Sequence, residues 1–257
     1  MRRRLGVLVA AAVLGLGACG TAGDGGAGPD PDPPQETEAP ASPAADDPAA
    51  DDAADDGPDA DDTCGDRLVN LHDPVPGRLF ADCAADAVLA AGTSGYRTSG
   101  DDGSWAEGVV AWREPGSIAL TNNHDMDVVV IGEQGWLLVP GEGWVVGDPA
   151  GTPPQVMAHS VISAIGQLTT VELQRALFAS SPAWEPASGV TEVEGARAYS
   201  GTPDLMGTTP ERYVVWLDDD HLPVRVEATL TLAGFTASTV DEFFDWGEPV
   251  EILPPEV

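Results

Sequence analysis

Val214-Val215-Trp216-Leu217-Asp218-Asp219-Asp220-His221-Leu222-Pro223-Val224-Arg225-Val226-Glu227 sets an acidic link between two apolar runs. Leu217 to Pro223 therefore reads as a polar hairpin turn joining two hydrophobic strands. Strand-like segments extend on both sides of it, at Val190 to Tyr199, Arg212 to Leu217, Leu222 to Leu232 and Phe235 to Phe244. Beyond them, Asp245 to Pro255 predicts a proline-rich tail that docks after the last strand.

Upstream, the same reading gives a second group of strands. Gly95 to Ser99, Trp105 to Trp112 and Ser117 to Asn122 are separated by Asp101-Asp102-Gly103 and Glu114-Pro115-Gly116, which are hairpin turns. Asp127 to Ile131 turns at residues 132–135 into Trp136 to Val139, and Trp144 to Val146 follows. Ahead of this meander, Ala81 to Ala91 is rich in Ala and Leu, with Asp82 as a cap or start and Gly92 as the stop of a short helix. After Pro153-Pro154 the periodicity changes, and two helices without strong charge are expected at Val156 to Gln167 and Val171 to Phe178. Val156, Val161, Ile162, Leu168, Leu173 and Leu177 would lay their apolar side on the preceding strands. Ten or so antiparallel strands with two or three helices make an α+β fold, a strongly curved antiparallel sheet with the helices packed on one face.

The N-terminal quarter has a different composition. Arg2, Arg3 and Arg4 precede an apolar run from Leu5 to Leu16, and Gly17-Ala18 are small residues of the kind a signal peptidase accepts, so residues 1–18 read as a signal peptide. The run is short of the roughly 20 residues that span a hydrocarbon core. Leu16-Gly17-Ala18-Cys19 resembles the lipobox of bacterial lipoproteins, which implies a diacylglyceryl group on Cys19 and anchoring to the extracytoplasmic face of the cell membrane. Residues 21–62 hold twelve Asp, two Glu and eight Pro with no Arg, Lys or aromatic residue, so nothing there can form a core. Residues 19–62 are expected to be a lipidated, disordered tether averaging roughly 36 Å end to end as a coil, and longer through self-repulsion.

The folded part is expected over residues 63–257, ample for one domain. It has 29 carboxylates against eight Arg and no Lys, and with Arg2, Arg3 and Arg4 removed the formal charge of −32 becomes −35. Such a surface repels phosphates, so nucleic acid is excluded as a partner. It also repels anionic lipid headgroups, which keeps the domain itself off the membrane. The Arg-for-Lys balance and the excess of Ala, Gly and Pro fit a high-GC actinobacterial genome. With Cys19 assigned to lipid, Cys64 and Cys83 form an even pair in an oxidising location. A structural disulfide is expected, worth roughly 3 kcal/mol in loop entropy. The rival is a redox pair, whose usual spacing is Cys-x-x-Cys.

The order of helix, meander, helical insertion and second strand group resembles the half-barrel of the periplasmic LolA and LolB lipoprotein carriers and the mycobacterial LppX, LprA, LprG and LprF lipoproteins. Local matches are the opening hairpin, Val129-Val130-Ile131-Gly132 before Trp136, and Phe244-Asp245-Trp246-Gly247-Glu248-Pro249-Val250. The resemblance covers most of residues 80–253. It implies a lipidated protein whose sheet and helices enclose a cavity for acyl chains, with a role in envelope lipid or lipoprotein transport and no catalytic residue.

Reading the residues for chemistry gives little. His72, His124, His159 and His221 have no His or Cys neighbour at metal-ligand spacing, and no Gly-x-Ser-x-Gly elbow occurs. The acidic residues follow turns. No enzyme activity, metal or cofactor is expected. Seven tryptophans are more informative, since wide rings line apolar cavities, although they also fill the space between any sheet and its helices. Trp105, Trp112, Trp136, Trp144, Val156, Ile162, Leu173, Leu177 and Trp216 are the expected cavity lining. The expected ligand is a lipid or other hydrophobic molecule. The alternative is a non-enzymatic scaffold or regulatory lipoprotein that binds another envelope protein.

Overall fold

The computed structural model describes Cys64, Leu68 and residues 73–167, 170–205, 207–232 and 234–256. The expected signal peptide, Cys19, the tether, His72 and Leu168 lie outside these residues. The opening hairpin becomes β10 (Arg212–Asp218) and β11 (Pro223–Leu232), in numbering that runs along the chain. Its turn is held by one side chain: the backbone N–H groups of Asp220 and Leu222 donate to Asp218 Oδ1 at 3.0 and 2.8 Å. His221 sits there at φ 64°, a conformation short polar turns tolerate.

Before the hairpin come β1 (Val75–Pro76), α1 (Gly77–Ala91), β2 (Thr93–Gly100), β3 (Trp105–Ala111), β4 (Ser117–Asn122), β5 (Val128–Ile131), β6 (Gln134–Val139) and β7 (Gly143–Val146). There follow α2 (Pro153–Gln167), α3 (Val171–Ser180), β8 (Ala183–Pro186) and β9 (Ala196–Gly201), and β12 (Phe235–Phe244) ends the strands. All twelve described strands form one open antiparallel sheet in the order β1-β8-β9-β10-β11-β12-β2-β3-β4-β5-β6-β7. The last strand of the second meander thus pairs with the first strand of the first one. A sheet of this width curls, and the three described helices pack on its inner face.

Two expected elements are corrected. The first helix begins at Gly77, more than a turn before Asp82, because Gly77 lets α1 approach the end of α3: a Cβ there would lie 1.7 Å from the Ser181 carbonyl oxygen. Asp82 instead joins Asp86 in an ion pair with Arg175 of α3. The strand expected at Val190 to Tyr199 is met only at its end, by β9: residues 187–195 form a loop with glycines in the left-handed region at Gly189 and Gly195, and β8, ahead of that loop, lies before the expected range. Cys64 and Cys83 are joined by a disulfide with Cα atoms 5.6 Å apart.

The two faces of the sheet differ as the period-2 alternation of strands requires. On the outer face Arg225, Glu242, Arg97 and Glu107 stand opposite one another across β11, β12, β2 and β3. Contacts of 3.0 Å for Arg225–Glu242 and 2.7 Å for Arg97–Glu107 make this a cross-strand charge ladder, which fixes register more than it adds stability. One residue along, the inner face carries Tyr199, Val215, Val226, Tyr96, Val110 and Ile118, all buried.

Candidate functional site: an apolar cavity with a buried carboxyl

Two clusters of rings stand on the inner face. The first is built around Phe80 of α1, which stacks on Trp184 at 4.5 Å and meets Phe178 and Tyr199 edge-on at 5.5 and 5.3 Å. Trp184 satisfies its indole N–H on the Phe178 carbonyl at 3.0 Å, so this cluster is solid and leaves no buried donor open. The second cluster joins Tyr96, Phe243, Trp112 and Trp246 at centroid distances of 5.4 to 6.2 Å. The buried Trp112 indole donates to Ser94 Oγ at 3.0 Å.

Between the clusters, under α3, lies a cavity of about 250 Å³. Phe178 and Tyr213 bound it on the side of the first cluster, and Tyr96, Trp112 and Phe243 on the side of the second. Val110, Ile118 and Val226 form the sheet floor, while Leu173 and Leu177 descend from α3. Gln167, Thr170, Gln174 and Asp204 are polar members of its lining. The volume lies between the about 150 Å³ that holds benzene and the pockets of about 300–1,000 Å³ typical of drug-sized ligands. At about 30 Å³ per water-sized group it admits roughly eight methylenes, one short chain and not several.

One buried carboxyl interrupts the lining. Asp241 on β12 is 8% exposed and forms part of the cavity wall. The Tyr96 hydroxyl donates to its Oδ1 at 2.8 Å. Burial raises the Asp241 pKa, against the lowering effect of hydrogen bonds from Thr98 and Tyr96. Burial, then the neighbouring Asp241 charge, hold the Tyr96 and Tyr213 hydroxyls well above the ordinary tyrosine range.

Of the nine residues expected to line a cavity, Trp112, Leu173 and Leu177 border this one. The other six do not. Trp105, Trp136, Trp144 and Trp216 belong to the outer face by register: Trp105 pairs with Ser99, Trp136 with Val129, Trp144 with Leu138, and Trp216 with the ladder residue Arg225. Trp216 is buried there because its indole donates to the Thr191 carbonyl at 3.0 Å, which draws the 187–195 loop across it. Ile162 packs on the β5–β7 end of the sheet, where a Cβ on Gly135 would come within 2.2 Å of it. Val156, on the same helix, is exposed. Assigning acidic residues to turns hides Asp241, and Tyr96 lies on an expected strand with no mark of its own. The signal is present in Thr239-x-Asp241-x-Phe243, where alternation places an acid between two inward-facing positions.

No protein-family model matches the chain, and no curated protein matches it in sequence. Solved structures similar in fold include the Mycobacterium tuberculosis lipoprotein LppX, at 16% identity over 68% of this chain and 97% of that one, with a TM-score of 0.46. LprF from Mycobacterium bovis gives 13% identity over 70% of this chain and 99% of that one, with a TM-score of 0.43. An outer membrane lipoprotein-sorting protein domain from Vibrio parahaemolyticus gives 10% identity, 66% and 95% coverage and a TM-score of 0.30. The first two are among the mycobacterial lipoproteins that the sequence resembles.

Proposed function

We propose that the chain is a lipid-anchored, extracytoplasmic carrier that takes one apolar chain of a lipid or other hydrophobic ligand into the space between α3 and the sheet, without catalysis. The observation that carries this reading is the apolar void itself. Domains normally fill such space, and a cavity lined by Val110, Ile118, Leu177 and five aromatic rings favours an apolar guest. Roughly eight buried methylenes supply about 6 kcal/mol before the costs of ordering, enough for a ligand that is held and also released. Cys19 would hold the carrier at the membrane through its diacylglyceryl group, with residues 20–62 as the spacer and residues 63–257 as the domain. Transfer of envelope lipids or lipoproteins is the role this arrangement suits.

Native mass spectrometry of the protein taken from its own envelope tests the reading, with an extracted lipid as the expected adduct. An apo mass alone, together with no uptake of the fluorescent reporter N-phenyl-1-naphthylamine, overturns it. The anchor is tested separately: Cys19→Ala should remove acyl labelling and release the chain from membranes washed at alkaline pH. The scaffold alternative has one observation in its favour, the end of the β11–β12 hairpin, where Leu232 and Phe235 pair while 46% and 80% exposed. A single dominant protein crosslinked to that end in intact cells would favour it over the carrier.

A further inference from the structure

Asp241 has no ion-pair partner among the described residues, whose eight ion-pair contacts all involve other carboxylates. It is held only by hydroxyl groups, those of Tyr96 and Thr98. A carboxyl in an apolar wall without a cation is an expensive residue for a fold to keep, and a hydrophobic side chain of similar size would pack there at lower cost. On the opposing wall Gln174 of α3, which also lines the cavity, has its Oε1 buried with no hydrogen-bond partner. Sheet and helix therefore each turn a hydrogen-bond acceptor toward a chamber whose remaining walls are mostly apolar, and each is short of donors.

We propose that Asp241, with Tyr96 beside it and Gln174 across from it, forms a polar subsite that selects a single-chain amphiphile with a hydrogen-bond-donating headgroup, an amine or an alcohol, over one ending in a carboxylate. This rests on the carrier reading and adds the chemistry of the ligand's polar end. An ammonium or hydroxyl group supplies the donor that Gln174 Oε1 lacks and a further one for the Asp241 carboxyl, and an ammonium also neutralises the buried charge. A carboxylate brings a second negative charge and two more acceptors to the same place, so it is repelled by the wall that would have to receive it.

The test uses the mature chain, residues 19–257, carrying Cys19→Ala so that no detergent is needed. Displacement of N-phenyl-1-naphthylamine is measured with octylamine, octanol and octanoate, which share one chain length and differ only at the head. The amine and the alcohol should each displace the reporter at concentrations about tenfold or more below octanoate, the discrimination expected of one charge-assisted or buried hydrogen bond. Asp241→Asn, which keeps the shape and the contact with Tyr96, should lose most of the preference for the amine, read as the ratio of amine to carboxylate displacement so that any change in reporter affinity cancels. Gln174→Leu, on the helix, should weaken the alcohol several-fold without touching the sheet, and stands as the second variant should the first fold poorly. Equal displacement by all three chains, or a ranking unchanged in both variants, overturns the subsite and leaves the cavity reading standing. If neither the reporter nor any of the chains binds, both fall together.

Discussion

The two ring clusters on the inner face are made from the same materials, and only one of them closes. At the β8–β10 end, Phe80 descends from α1 into the gap between Trp184 and Tyr199, and Phe178 from α3 seals the edge, so four rings fill the space. At the β2–β4 side no described helix supplies a ring of that size. α3 offers Leu173, Gln174 and Leu177 over Tyr96, Val110 and Ile118, and a void is left between them. A helix crossing a curved sheet can touch it closely only over part of its length, and what lies under the rest depends on whether large side chains reach across. The cavity is therefore a consequence of which residues α3 lacks, while Phe80 is the residue that keeps the other end solid.

Removing that residue should have the largest effect. Phe80→Ala is expected to cost about 3–5 kcal/mol in urea denaturation, because a fully buried ring is lost from a site that cannot collapse. Leu177→Ala, which only widens an existing void, should cost about 1 kcal/mol or less beyond the lost transfer energy. Equal losses at the two positions would mean that the clusters are packed alike and that the cavity closes in solution.

The disulfide comes next. Cys64→Ser with Cys83→Ser should lower stability by about 2–4 kcal/mol, since the bridge closes a loop over a sequence separation of 19 and fastens the chain to α1. Reporter binding should persist, because the cavity walls come mainly from α3 and the sheet. Intact mass after thiol alkylation, with and without reductant, checks the bridge directly, and two free thiols in native protein would return the pair to the redox reading. Smaller in energy but sharper in meaning is Leu177→Trp. The added ring has room in the void, so stability should change by about 1 kcal/mol or less while affinity for the reporter falls about tenfold. A variant that binds as the parent does would place the ligand elsewhere.

How much of this was legible in the sequence follows the range of the forces involved. The hairpin at residues 218–222, the two helices after Pro153 and the pairing of Cys64 with Cys83 are set by local turn chemistry, periodicity and cysteine arithmetic. Each of them could be read directly. The loop at residues 187–195 could not, because what holds it is the Trp216 indole some 25 residues away in the chain. The tryptophans are an intermediate case. Counting by twos from the buried Val110 sends Trp112 inward and Trp105 outward, so the sheet tryptophans could have been sorted by alternation, given the faces. The void itself depends on the separation of α3 from the curved sheet, which no single segment encodes.

The last prediction bears on why the open region tolerates an acid that the closed one would not. Asp241 has a raised pKa in the folded protein and the ordinary value of about 3.9 in the unfolded chain. A raised carboxyl pKa means that the folded state holds its proton longer, so the stabilising contribution is complete below about pH 4 and is lost as pH rises through the folded value. Asp241→Asn has no such proton to lose. The stability difference between variant and parent should therefore grow in favour of the variant from pH 4 upward and level off above the folded pKa. A scan kept below pH 8 leaves Tyr96 and Tyr213 protonated in both proteins, and the other carboxylates cancel in the comparison. Thermal melts across this range decide the matter. A difference that stays flat, or that shifts toward the parent as pH rises, would mean that Asp241 is ionised and paired in the folded state, and the donor-seeking wall of the cavity would lose its basis. Saturating octylamine should shrink the gap most at the upper end of the range, where the buried carboxylate is charged and the ammonium can neutralise it.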